Sequence, residues 1–261
     1  MITYEKLGIN GRLGNQMFQY ATLLGVTAKK GYDIVLNENL SSSLELVKYF
    51  KIDKPHFYNT NDIRYNNTYK EEFFHYDRRL FNKIEDSTNL EGYFQSYKYF
   101  EHCQDLVGDQ FTFKNEIQTK ALQYIDNIRQ GKQVVTIHIR RTDYVNLPNH
   151  HPLCSIDYYN RAIQHFNQDE TVFIVCSDDI KWCQDNIKAK YIHYSPNDTF
   201  VDLCIMTLAD HNIIANSSFS WWGSWLNTNP NKKVIAPNNW FGTYYFHFIL
   251  DDLYYPEMIK I

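Results

Sequence analysis

The C-terminal half of this chain alternates short apolar runs with segments of helical spacing. Val134-Val135-Thr136-Ile137 is an unbroken, largely β-branched run, the pattern of a strand buried on both faces of a parallel sheet. It predicts a strand over 133–139, then a helix near 157–167 and a strand from Thr171 to Ser177. A short helix from Asp179, a strand from Lys190 to Tyr194 and a helix over 200–209 follow. A strand from Asn212 to Ala215, a helix over 219–227 and a last strand from Lys232 to Ala236 complete the series. Such alternation implies an α/β fold with a parallel sheet covered on both faces.

The N-terminal part opens in the same way. Residues 2–7 read as a strand, and a glycine-bearing loop follows from Gly8 to Asn15. Met17, Phe18, Ala21, Leu24 and Ala28 then recur at helical spacing up to Lys30, and Gly31 closes that helix. Asp33 to Leu36 predict a second strand. Residues 38–115 are rich in Tyr, Asn and Phe and give weaker signals: a strand from Leu90 to Phe94 and a helix from Tyr97 to Leu106. A helix over 115–130 ends at Gly131. The simplest architecture is two Rossmann-like lobes, residues 1–120 and 121–261, joined near 115–132.

A length of 261 residues suits one large or two small domains. The net charge of −4 argues against a general nucleic-acid binder. Five cysteines, an odd number with no Cys-x-x-Cys pair, read as reduced thiols, and the histidines and cysteines lack the spacing of a zinc site. The first residues lack the pattern of a signal peptide, and no apolar run is long enough to span a bilayer. These features point to the cytoplasm, with attachment to the inner face of a membrane left open.

Candidate chemistry gathers where predicted strands end. His138-Ile139-Arg140-Arg141-Thr142-Asp143-Tyr144 follows the first strand of the C-terminal half. Ligands of open α/β sheets bind beyond the carboxyl ends of strands, and the planar fork of arginine suits phosphate. The pair therefore predicts a nucleotide diphosphate; the plainer alternative is a structural salt bridge to Asp143. Asn216-Ser217-Ser218-Phe219 opens a helix after a strand, which makes either an anion site or an ordinary serine cap. Asp202 starts an apolar helix, where it either caps the helix or accepts the N1–H and N2–H donors of guanine. Gly11-Arg12-Leu13-Gly14-Asn15-Gln16 is a glycine-rich turn before a helix, either an approach for a ligand or simply a tight turn. Trp221, Trp222 and Trp225 have the spacing of core residues, whereas Trp240, after the last predicted strand, is placed nearer the rim of a cleft.

Taken together, HIRRTDY, residues 176–187, DLCIMTLADHNIIANSSFSWWGSWL and the N-terminal GRLGNQMFQYA resemble the α-1,2-fucosyltransferases of bacterial type. The resemblance covers both ends and most of the C-terminal half and is weak across about 38–115. It implies a GT-B fold, two Rossmann-like lobes around a central cleft, with the acceptor on the N-terminal lobe and the donor on the C-terminal one. It also implies inverting transfer of L-fucose from GDP-L-fucose to the 2-hydroxyl of a terminal β-galactoside, on a glycan or a lipid-linked oligosaccharide of a surface polysaccharide. No metal or other cofactor is implied, and the sequence contains no Asp-x-Asp.

By the same resemblance Arg140 holds the β-phosphate and stabilises charge on the departing GDP. Arg141 shares that work or pairs with Asp143, which orders the arginines. His138 and Asp202 match positions that contact guanine or ribose. Ser217, Ser218 and Phe219 match the phosphate-binding turn, and Asn15 matches an asparagine close to the reacting centre. The loop after the arginines holds no glutamate, so His150, His151 and Asp143 remain the candidates for general base. A fucosyltransferase of other linkage or acceptor, and a catalytically silent nucleotide-sugar or glycan binder, are the alternatives.

Overall fold

The computed structural model describes residues 1–37, 44–52, 56–58 and 63–261. Part of the region where the resemblance is weak thus lies outside the described residues. The chain divides into two compact units, Met1–Lys114 with Phe248–Tyr255, and Asn115–His247 with Pro256–Ile261. The helix expected to join the lobes belongs entirely to the second unit. The excursion of residues 248–255 into the first leaves no mark in the hydrophobic pattern.

The first unit contains β1 (Ile2–Thr3), α1 (Leu13–Lys30), β2 (Val35–Asn37), α2 (Glu45–Tyr49) and β3 (His56–Tyr58). It continues with β4 (Asn67–Lys70), α3 (Leu80–Lys83), β5 (Thr88–Glu91) and α4 (Gln104–Gln110). All strand pairs are parallel, in the orders β1-β5-β4 and β2-β3. A bridge between Ile2 and Ile34 joins the two sheets, so the strands run β3-β2-β1-β5-β4. The first strand is much shorter than residues 2–7: from Tyr4 the backbone turns, with Leu7 N–H donating to the Tyr4 carbonyl. Two 3₁₀ turns, at 97–99 and 101–103, replace most of the helix expected from Tyr97.

Helix α1 is the central support of this unit. Met17, Phe18, Ala21, Leu23 and Val26 are fully buried, and Gly31 ends the helix in the left-handed region at φ 73°, its N–H bonded to Thr27. Gly25 lets α1 lie directly on the chain at 99–100, since a Cβ there would stand 2.1 Å from the Tyr99 carbonyl oxygen.

The second unit contains α5 (Asn115–Arg129), β6 (Gln133–Ile139), α6 (Ile156–Gln164), β7 (Thr171–Ser177), α7 (Ile180–Asn186) and β8 (Ile192–Tyr194). It continues with α8 (Thr199–Leu208), β9 (His211–Ile213), α9 (Ser218–Trp225), β10 (Val234–Ala236) and β11 (Met258–Lys260). Its six parallel strands run β11-β10-β9-β6-β7-β8, the doubly wound order. β11 is an addition: the strand at 234–236 is not the last, because the chain returns to pair Met258 with Val234.

Alternation along β6 sends Val135, Ile137 and Ile139 into a core with Tyr158, Tyr159 and Ile163 of α6 and Phe173 and Val175 of β7. On α9, Trp221 and Trp222 are fully buried, as their spacing predicts, and Gly223 allows close approach to Met206 of α8. Among the described residues no helix is long and apolar enough to cross a membrane.

In the second unit the order of strands reverses once, between β6 and β9, whereas in the first β5 returns to lie between β1 and β4. Crevices beyond the carboxyl ends at such reversals are where doubly wound sheets bind ligands.

Gly25→Ala forces a methyl group against a main-chain oxygen that cannot rotate away. We expect a loss of about 1–3 kcal/mol, the usual cost of overpacking, read as a lowered midpoint in urea unfolding.

Candidate active site

In the second unit the candidate residues collect at the carboxyl ends of three neighbouring strands, β7, β6 and β9. Arg140 stands one residue beyond β6 with its side chain 17% exposed. Its Nη2 donates to Asp143 Oδ1 at 2.6 Å and its Nη1 lies 2.8 Å from Asp178 Oδ2. Asp178, at the end of β7, also accepts from the Arg141 N–H at 2.9 Å and the Thr142 hydroxyl at 2.6 Å. One carboxylate thus shapes the whole turn after β6.

Arg141 does not pair with Asp143. Its Nε donates to Asp179 Oδ2 at 3.0 Å, and its guanidinium lies 3.8 Å from the centre of the Trp182 ring. Asp179 also caps α7 through its other oxygen, which accepts from the Trp182 N–H. The two arginines therefore divide between two carboxylates of the next strand end: Arg140 faces Asp143 and Asp178, and Arg141 is held at a helix N-terminus.

At the end of β9, Asn216 is buried and ties three segments together. Its Nδ2 donates to the carbonyls of Pro152 and Trp240, both at 2.9 Å, and its own carbonyl accepts from the Tyr144 hydroxyl at 3.3 Å. Ser217 occupies the cap position of α9 without a side-chain cap bond, so the ordinary serine cap is not made. Ser218 and Phe219 form the first turn of that helix. Trp240 is 2% exposed and belongs to the packing beneath the turn, not to a rim.

His138 is buried on β6, its ring 5.2 Å from that of Phe219. Burial pushes its pKa down to about 3, so the imidazole is neutral. Among the described residues its Nδ1 has no hydrogen-bond partner. Asp202 does not cap α8; Asp198 does, accepting from the N–H groups of Phe200 and Val201. Asp202 lies one turn further in, 6% exposed, and accepts the Ser195 hydroxyl. Burial pushes its pKa up to about 7, while the bonds from Ser195 and Cys176 pull it down.

The loop carrying the candidate bases is stitched to residues 242–245. Gly242 N–H donates to the His150 carbonyl at 2.9 Å, and Tyr244 N–H to that of Asn149 at 3.1 Å. A Cβ on Gly242 would stand 2.3 Å from the Asn149 oxygen, which is why glycine sits there. His150 Nδ1 lies 3.1 Å from the Tyr245 hydroxyl. His151 stacks on Tyr144 at 4.7 Å, and its pKa is lowered, first by burial and then by His150. Asp143 is engaged with Arg140.

In the first unit Asn15 lies in the first turn of α1, beyond β1. Its Oδ1 accepts from Gln95 Nε2 at 2.8 Å. Gln95 follows β5, the strand that pairs with β1. Nearby, Glu71 accepts from the N–H groups of Tyr93 at 2.6 Å and Phe94 at 3.0 Å. Burial raises its pKa to about 7, against the pull of those two donors. Sequence reading missed Asp178, Ser195, Glu71 and Gln95. Only the Asp178-Asp179 pair at a strand end carried a signal.

Among the described residues no three His, Cys, Asp or Glu side chains are grouped to hold a metal ion.

The raised pKa of Asp202 has a definite sign in stability. The fold favours the protonated form, so this contribution is full below the ordinary value of 3.8 and is lost as pH rises towards 7. Asp202→Asn removes that dependence. Between about pH 4 and pH 8 the variant should lose on the order of 1–3 kcal/mol less stability than the parent chain, measured by urea unfolding across the range.

Comparison with known proteins places this geometry. The model of glycosyl transferase family 11 matches residues 3–260. An Escherichia coli protein named alpha-1,2-colitosyltransferase is 32% identical over 88% of this chain and 90% of its own length. The O-antigen biosynthesis glycosyltransferase WbnK of the same species is 27% identical over 89% of this chain and 93% of its own. The galactoside alpha-(1,2)-fucosyltransferase 2 of Sus scrofa is 26% identical over 83% of this chain and 67% of its own. Among solved structures, NodZ alpha-1,6-fucosyltransferase soaked with GDP-fucose superposes with a TM-score of 0.57 over 86% of this chain and 91% of its own, at 12% identity. The apo form of POFUT1 does so with a TM-score of 0.54 over 90% and 97%, also at 12% identity. These likenesses show a GT-B fold. The sheet order, the strand-end arginines and the match along nearly the whole length lead to one conclusion: the chain is a glycosyltransferase and belongs to glycosyl transferase family 11, the α-1,2-fucosyltransferase family.

Proposed function

We propose that the protein moves L-fucose from GDP-L-fucose to the 2-hydroxyl of a terminal β-galactoside, with inversion and without a metal, in the assembly of a surface polysaccharide. The observation that carries the donor site is Arg140 beyond the central strand β6, beside the Asn216–Phe219 turn at the sheet's reversal. Its two ion pairs engage one hydrogen on each Nη and leave the remaining N–H donors for phosphate. As the glycosidic bond breaks, negative charge grows on the β-phosphate, and a fixed guanidinium stabilises it more than the ground state. The free amides at the start of α9 lie at the neighbouring strand end and act in the same sense.

His138 and Asp202 fit the nucleoside. His138 offers a buried nitrogen without a partner among the described residues, and Asp202 a buried carboxylate that guanine's two N–H donors would satisfy. The proton of the acceptor hydroxyl needs a base only as far as the transition state is associative; His150, oriented by Tyr245, is our candidate. The similarity to an enzyme named colitosyltransferase favours a second reading of the donor, a GDP-sugar lacking the 3-hydroxyl of fucose. The likeness to an O-antigen enzyme supports the polysaccharide setting, with a lipid-linked oligosaccharide as acceptor at the inner face of the membrane.

Purified protein incubated with GDP-fucose, lactose and EDTA should give a fucosyl-lactose by mass spectrometry, 2-linked by NMR. Consumption of GDP-colitose but not GDP-fucose would establish the second donor. Binding of GDP without turnover of either would mark a silent binder. Arg140→Ala should lower turnover by about 10²–10³, the usual loss of one stabilising donor, with the urea midpoint retained; unchanged turnover would remove Arg140 from the chemistry.

A further inference from the structure

In the first unit the neighbouring ends of β1 and β5 carry a second device. Beyond β5 the chain makes a tight turn over residues 92–95, held from several sides. The Tyr4 hydroxyl bonds to both the N–H and the carbonyl of Gly92. Glu71, just beyond β4, accepts the next two N–H groups, those of Tyr93 and Phe94. Gly92 is required there, since a Cβ would stand 2.4 Å from the Glu71 side chain. Phe94 sits in the left-handed region at φ 53°, unusual for a bulky side chain, with its ring edge-on to Tyr4 and Tyr99. Backbone held in such a region by its surroundings clusters at functional sites.

The product of this turn is the placement of Gln95, 8% exposed, whose Nε2 donates to Asn15 Oδ1. A carboxamide has two ends of nearly equal size, one donor and one acceptor, and either can face a ligand. Gln95 occupies the acceptor end. Asn15 Nδ2 is then the end without a partner among the described residues. It lies against Gly11, where φ is 97° and a Cβ would stand 2.3 Å away. Glycine in the GRLGNQ turn thus keeps space open at the donor end of Asn15.

We propose that Gln95 is a positioning residue: it locks the Asn15 carboxamide so that Nδ2 is the end that faces substrate. This rests on the reading of Asn15 as a residue of the reacting centre. Glu71 acts one step further back, by fixing the turn that presents Gln95.

The test is a double-mutant cycle of Gln95→Glu and Asn15→Ala, with GDP release from GDP-fucose and lactose as the assay. The glutamate has the shape of glutamine but only accepts, so it draws Nδ2 inward and turns the oxygen towards substrate. Gln95→Glu should lower kcat by roughly 10–100-fold, with KM for GDP-fucose within about twofold and an unchanged urea midpoint. In the Asn15→Ala background the same change should cost less than about twofold, because the group it orients is gone. An equal loss in both backgrounds, or no loss in the parent, overturns the inference while leaving the function standing. Turnover unchanged in Asn15→Ala, but abolished in Arg140→Ala, removes Asn15 from the reacting centre and the inference with it. No turnover by the unaltered protein overturns the functional reading itself.

Discussion

A strand buried on both faces can present polar chemistry only where it ends, and that constraint organises this molecule. β6 is paired along seven residues to β7 and along three to β9, with apolar side chains packed above and below. Each buried Val or Ile contributes about 1.5–3 kcal/mol, whereas a surface ion pair contributes about 0–1. The position of β6 is therefore set by packing, and the ion pairs around Arg140 adjust to it. Since every pairing in the two sheets is parallel, the loops that follow the strands of each unit emerge on one side of it. Asn216 then makes three of those segments depend on a single side chain.

The carboxylates beside the arginines serve more than charge balance. Asp178 accepts three donors from residues 140–142, so the turn that carries Arg140 is shaped by the chain itself. Phosphate oxygens and carboxylate oxygens compete for the same planar donors. An anionic ligand would meet Arg140 through these same donors, whereas Arg141 is held by Asp179 and stacked on Trp182. The pair is adjacent in sequence and unlike in circumstance.

The series of elements from 133 to 236 was legible because each apolar run belongs to a doubly buried strand, where composition and period agree. The strand-end arginines and the serine turn stood out for the same reason: they sit where a periodic segment stops. β11 was not, since Met258-Ile259-Lys260 is too short to stand out and is a strand only because β10 offers an edge. Ile2–Thr3 was overread because Tyr4, apolar in pattern, serves the turn at Gly92. Asp143, near in sequence, pairs with Arg140 as expected, whereas Asp178 and Asp179 escaped notice because adjacency in the sheet, not in sequence, brings them to the arginines. Gln95 is 80 positions from Asn15, and nothing local in either segment announces the other.

The main-chain bonds between residues 149–150 and 242–244 carry a consequence for how this enzyme can diversify. Each of the two segments supplies the other's hydrogen-bond partners, and Gly242 fits only against the oxygen that Asn149 presents. An altered loop of different length on one side would leave its counterpart with unmatched amides and carbonyls. The two segments therefore form one hydrogen-bonded unit, and a change in either alters the support of the exposed rings of Tyr244 and Phe246.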